Sequence, residues 1–134
     1  MKLIGWTKIV AKLFWYLASN RKIGTGYITC SRSVGGAFRD IISIGVFKIF
    51  HVSVINHIHG SDLISFYKSK RWRLLKYCHR AMLNKCSENI VLTESMKFEL
   101  SGILNNSVVV NNFSNISCRF IERDIETDIC ICYY

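Results

Sequence analysis

A chain of 134 residues, half of them hydrophobic, has room for one domain with a sizeable core and needs neither disulfides nor a structural metal to hold it. Eighteen Lys and Arg against nine Asp and Glu give a net charge of +9, so a charged partner would be anionic: phosphate-bearing lipid, nucleic acid or a sugar nucleotide. There is no internal repeat and no low-complexity linker.

The charge is uneven. Residues 1–80 carry 14 Lys and Arg against Asp40 and Asp62, a net of +12, whereas residues 81–134 carry four basic and seven acidic residues, a net of −3. Any anionic partner therefore meets the first part of the chain. The six cysteines, at 30, 78, 86, 118, 130 and 132, have no paired C-x-x-C spacing and are expected to be reduced thiols in a cytoplasmic protein.

Leu3, Trp6, Val10, Leu13 and Leu17 alternate in steps of three and four, which predicts a helix over residues 1–19. Lys8 and Lys12 break its apolar run well short of the roughly 18 residues of a bilayer span and spoil a signal-peptide core. A helix packed on a sheet is the first reading, and a basic, Trp-bearing interfacial helix the second.

Gly26–Cys30 is a short β-prone run closed by the loop Ser31-Arg-Ser-Val-Gly-Gly36, and a helix is expected from about Ala37 with Phe38, Ile41, Ile42, Gly45, Val46 and Ile49 inward. His51–Ile58 is β-branched and nearly continuous in apolar character, the pattern of a parallel strand buried on both faces. From Ser69 to Lys85 the period is helical again, with Trp72, Leu75, Tyr77 or Cys78, and Met82 inward and Lys70, Arg71, Arg73, Lys76 and Arg80 outward. Asn89–Thr93 reads as a strand, Glu94 to Leu104 as a short helix with acid in its first turn, and Ser107–Asn111 as a last strand. Strands alternating with helices at such short intervals predict a doubly wound parallel α/β domain.

His57 and His59 alternate on one strand face and could offer two imidazoles to zinc, but His51 is at the far end of the strand and Asp62 is the nearest carboxylate, so zinc is disfavoured there. Ligands of open α/β sheets bind at the carboxyl ends of strands, where His59-Gly60-Ser61-Asp62 stands. A histidine at that point can accept a proton from a sugar hydroxyl, and Gly60 lets backbone approach a ligand. From the residues alone, the stronger reading is that His59 merely satisfies a buried hydrogen bond. The cations from Lys68 to Arg80, interleaved with Trp72 and Tyr77, fit first a solvated helix face, second an anionic membrane surface and third nucleic acid.

The segment 56–115 runs from Asn-His-Ile-His-Gly-Ser-Asp through the basic helix to Val-Val-Val-Asn-Asn-Phe-Ser-Asn. In that order of elements it resembles the acceptor-side domain of family 4 retaining glycosyltransferases of GT-B architecture. The resemblance covers residues 24–115 and implies a Rossmann-like parallel sheet, one half of a GT-B enzyme. It also implies hexosyl transfer from a nucleotide sugar to a growing surface polysaccharide or glycoconjugate. It places His59 as the catalytic residue of the cleft, with Gly60, Ser61 and Asp62 beside it. Ser31, Arg32, Gly35 and Gly36 match the earlier strand-end loop, Thr93, Glu94 and Ser95 the next, and Asn112 the Asn before the crossover to the second domain; ordinary turn and capping chemistry is the alternative for each.

The implied partners are a sugar acceptor, lipid-linked in some members, and an anionic membrane surface through Lys68 to Arg80, without nucleic acid. No cofactor or metal is implied beyond the nucleotide-sugar co-substrate, and the expected location is cytoplasmic or peripheral at the inner face of the cell membrane. Set against the resemblance, two departures are expected: a chain that lacks the family's first strand and glycine-rich loop before the initial helix, and one that lacks its donor domain with the paired Glu. We expect residues 1–115 to form the acceptor-side domain and residues 116–134 an atypical tail, frameshifted or disordered. The alternative is a non-catalytic α/β domain binding an anionic surface.

Overall fold

The computed structural model describes residues 2–20, 22–60, 62–111 and 129–131, with side chains for 7–20, 22–60 and 62–111. In chain order the elements are α1 (Lys2–Ser19), β1 (Thr25–Thr29), α2 (Val34–Ile49), β2 (Ser53–Ile58), α3 (Asp62–Lys68), α4 (Arg73–Leu83), β3 (Glu88–Val91), α5 (Glu94–Leu100), β4 (Ser107–Val109) and β5 (Ile129–Ile131). The strands form one sheet in the order β4-β3-β2-β1-β5, and every pairing is parallel. The class is α/β with a Rossmann-like parallel sheet, as the alternation of strand and helix predicts. Strand order reverses at β1, the position beside which open α/β sheets bind ligands.

Three crossovers step the same way, from β1 through α2 to β2, through α3 and α4 to β3, and through α5 to β4. Right-handed crossovers of one direction place their helices on one face, and burial follows. Gly26, Ile28, Val54, Asn56, Ile58, Asn89 and Val91 are buried, while their alternating neighbours Tyr27, Ile55, His57 and Ile90 are half-buried and Ser53 and Glu88 exposed. The expectation that β2 is buried on both faces is therefore corrected among the described residues. Its apolar run reflects one fully packed face and one half-covered face.

The packed face joins Phe47 and Ile44 of α2, Leu63 and Ile64 of α3, Leu83 of α4, Leu100 of α5 and Leu13 and Leu17 of α1 into one core. Phe47 is fully buried, a burial that stabilises by roughly 1.5–3 kcal/mol. A Cβ on Gly26 would stand 2.5 Å from the Phe47 ring, so the missing side chain lets α2 settle on β1. Asn56 and Asn89, paired in register, form a buried cross-strand bond of 2.8 Å between Asn56 Nδ2 and Asn89 Oδ1, and Asn89 Nδ2 donates to the Leu83 carbonyl.

Helix phases differ from the sequence expectation. α2 begins at Val34, three residues early, because the Ser33 hydroxyl accepts from the Gly36 amide as N-cap. Its buried residues are Ala37, Asp40, Ser43, Ile44, Val46 and Phe47, whereas Phe38, Ile42 and Ile49 of the predicted inner face are exposed. The helix is apolar nearly all round, so hydrophobic period could not select its inner face. α4 is rotated likewise: Leu75, Lys76, His79 and Leu83 face inward, and Trp72, Tyr77 and Cys78 are exposed. Lys76, expected outward, is buried because its Nζ donates to the Ser69 carbonyl and hydroxyl and lies 5.2 Å from the Phe66 ring centroid. α3 precedes the predicted helix as a separate helix of seven residues.

Candidate functional site at the carboxyl edge of the sheet

Parallel strands end on one edge, and the loops leaving β1 and β2 meet there. Arg32, just past β1, bridges to Asp62 at the start of α3, Nη1 to Oδ2 at 2.8 Å. A Cβ on Gly60 would lie 2.9 Å from that guanidinium nitrogen, so Gly60 is what admits Arg32 over the β2 loop. Both partners of the bridge are more than half exposed, and exposed pairs of this kind contribute only about 0–1 kcal/mol. The pair is an accessible cation and anion held in fixed register.

Ser31 lies half-buried beneath them, its amide donating to Asp40 Oδ2 at 2.7 Å. Its hydroxyl fills the space a side chain on Gly36 would need, where a Cβ would stand 1.6 Å from Oγ. Of the two loop glycines, Gly36 is the sterically required one; a Cβ on Gly35 meets nothing within 4 Å.

His59 is exposed and lies on the half-covered face, its ring 3.8 Å centroid to centroid from that of His57. His57 Nδ1 is hydrogen-bonded to the Tyr27 hydroxyl, and its Nε2 is buried with no hydrogen-bond partner among the described residues. Burial, with His59 second, pushes the His57 imidazole below its ordinary value. The two histidines share a face, as alternation predicts.

No family model, no curated protein and no solved structure matches this chain. The site therefore rests on its own geometry.

That geometry gathers Ser31, Arg32, Gly60 and Asp62, with His59 on the adjoining β2 end. Glu94 and Ser95 are exposed past β3, and Thr93 is the N-cap of α5, its Oγ1 accepting from the Met96 amide at 3.1 Å. With β2 between β1 and β3 and about 4.8 Å from strand to strand, the β3 loop stands roughly 10 Å from the β1 loop. Ser61 and Asn112 lie outside the described residues.

Beneath the edge sits a polar cluster that the sequence reading did not find. Asp40 and His79 are 2% and 0% exposed. His79 Nε2 is 3.4 Å from Asp40 Oδ2 and 4.0 Å from Cys30 Sγ, and its Nδ1 is 2.8 Å from the Tyr67 hydroxyl. Arg39 donates Nε and Nη2 to Asp40 Oδ1, at 3.0 and 2.8 Å, and Nη2 also to the Thr29 carbonyl. Burial, with the Asp40 carboxylate second, raises the Cys30 thiol well above its ordinary value, and burial also raises the Tyr67 phenol.

A Cys-His-Asp set suggests nucleophilic catalysis, and this geometry argues against it. A triad needs the carboxylate on the ring nitrogen opposite the nucleophile, whereas Asp40 and Cys30 both meet Nε2. Two signals in the sequence point to the cluster: the lone carboxylate of the largely apolar α2, and Leu75, His79 and Leu83 repeating at four-residue steps along α4.

Proposed function

We propose that this chain is the acceptor-side domain of a family 4-like glycosyltransferase, binding the sugar acceptor at the carboxyl edge beside β1. The observation that carries the reading is the Arg32–Asp62 bridge seated against Gly60, next to His59, where strand order reverses. A cation and a carboxylate exposed side by side can bind vicinal sugar hydroxyls, the carboxylate accepting and the guanidinium donating. His59, exposed at the end of β2, is the group to take the acceptor proton as the donor phosphate leaves. The donor phosphates would be held by a second domain across the cleft.

In an enzyme reconstituted with a donor-side domain, His59→Ala should abolish transfer and Arg32→Ala should raise the acceptor KM. Full activity of His59→Ala would sink the assignment.

A second reading, a non-catalytic domain docking on an anionic membrane, is favoured by a separate observation. Phe38, Ile42 and Ile49 are exposed on α2, and Trp72, Leu74 and Tyr77 are exposed at or near the start of α4, which packs on α2. Lys70, Arg71, Arg73 and Arg80 are exposed close to them in sequence, and each cation near an anionic bilayer adds about 1 kcal/mol. Among the described residues no helix is long and apolar enough to cross a membrane. Co-sedimentation with phosphatidylserine vesicles that is weakened by salt and by Ile42→Asp, in a chain without transfer activity, would replace the first reading by this one.

A further inference from the structure

We propose that Cys30, Asp40 and His79 bind a divalent transition-metal ion of the zinc type. The inference is independent of the glycosyltransferase reading, because the cluster lies under the edge rather than on it. The three candidate ligand atoms, Cys30 Sγ, Asp40 Oδ2 and His79 Nε2, come from β1's end, α2 and α4 and lie within 4.8 Å of one another.

Their spacing is wrong for tight hydrogen bonds and close to that around an ion. Charge-assisted bonds close to about 2.7–2.9 Å, whereas Nε2 stands 3.4 Å from Asp40 Oδ2 and 4.0 Å from Cys30 Sγ. Around a tetrahedral zinc with sulfur at about 2.3 Å and nitrogen or oxygen at about 2.0 Å, neighbouring ligand atoms are about 3.3–3.6 Å apart. The two contacts of Nε2 need to contract by at most about 0.5 Å to reach that spacing, and all three ligand atoms already lie within 4.8 Å of one another. One sulfur, one imidazole and one carboxylate suit zinc or cobalt, and suit magnesium or calcium poorly.

The outer contacts are those a ligand set requires. Tyr67 Oη at 2.8 Å from His79 Nδ1 fixes the ring and can accept the Nδ1 proton, leaving Nε2 free to ligate. Arg39 occupies Asp40 Oδ1, so the carboxylate offers Oδ2 alone, which also accepts the Ser31 amide. On binding, the Cys30 thiol releases its proton to solvent and sulfur ligates as thiolate; the remaining His79 proton resides on Nδ1; nothing is oxidised or reduced. Three protein ligands leave one tetrahedral position for water or an incoming group.

The test is a titration of the metal-stripped full chain with Co²⁺ alone. The expected result is one ion per chain, with thiolate-to-cobalt charge-transfer absorption and the strong visible bands of a four-coordinate ion, both displaced by Zn²⁺. Cys30→Ser should remove the charge-transfer absorption. A chain carrying Cys78→Ser, Cys118→Ser, Cys130→Ser and Cys132→Ser should keep it. Tyr67→Phe, with all three ligands intact, should weaken binding roughly 10- to 100-fold.

Absence of the charge-transfer band in the wild-type chain would overturn the proposal. So would its survival in Cys30→Ser or its loss in the four-serine chain. If Cys30→Ser does not fold, the four-serine chain and Tyr67→Phe decide: a band kept in the first and weakened affinity in the second uphold the site, and any other pair of results rejects it.

Discussion

Two residues show how single side chains set local behaviour. Trp72 takes φ 60° immediately before α4, in the left-handed region, without a capping side-chain bond, and its ring is about half exposed. A bulky residue there is strained by about 1–3 kcal/mol, and the buried half of its surface offsets only part of that. Trp72→Gly should raise stability by about 1 kcal/mol, read by urea denaturation; if Trp72 docks on membrane, the same change lowers vesicle binding, so the two readouts move oppositely. An unchanged or lower stability would mean the indole packs more firmly than its exposure indicates. His57 carries a pH dependence. Its folded pKa lies below the unfolded value of about 6.5, so the unfolded chain binds the extra proton first, and stability rises with pH across that window. The contribution is complete above the unfolded value and is lost as pH falls from it through the folded one. The chain should melt at lower temperature near pH 5 than near pH 7, and His57→Gln should flatten that slope; an unaltered slope would assign it to other groups.

At the scale of elements, the contact of α2 with β1 is the most sensitive joint. Because a Cβ on Gly26 would stand 2.5 Å from the Phe47 ring, Gly26→Val forces either a ring shift or a lifted helix and should destabilise by roughly 1–3 kcal/mol or more. Phe47→Leu made alone should also destabilise, yet the double change should lose less than the two losses added, since it removes the clash; additive losses in calorimetry would place the strain elsewhere. The buried Asn56–Asn89 bond pins the register between β2 and β3. Asn89→Ala should cost about 1–3 kcal/mol, because Asn56 Nδ2 is left without its acceptor inside the core. Strands were easy to place from sequence, since β-branched runs such as Ser53–Ile58 end at Gly and Ser. Helix faces were not: α2 has too few polar residues to mark an outside, and its outer face keeps Phe38, Ile42 and Ile49. In α4 the misleading residue was Lys76, whose buried Nζ is compensated by Ser69, which no local pattern reveals.

For the whole molecule, net charge and topology act together. The net of +12 over residues 1–80 gives a long-range attraction to anions that salt screens within about 10 Å at 0.1 M, so, under the membrane-docking proposal, binding to phosphatidylserine vesicles should fall steeply as salt is raised. Salt-insensitive binding would make the exposed apolar residues of α2, rather than charge, responsible. The sequence by itself determined the α/β class, the alternation of elements, the shared face of His57 and His59, and the loop after β2 as the candidate edge, because two-residue and near-four-residue periods, glycine and β-branching are local properties of the chain. Only the tertiary structure decided which helix face is inner, that one sheet face is packed and the other half-covered, that Arg32 reaches Asp62, and that Cys30, Asp40 and His79 meet. Those facts depend on the order β4-β3-β2-β1-β5 and on crossover handedness, which bring Arg32 to Asp62 and Cys30 to His79, 30 and 49 positions apart, separations that carry no trace of the contact in the sequence.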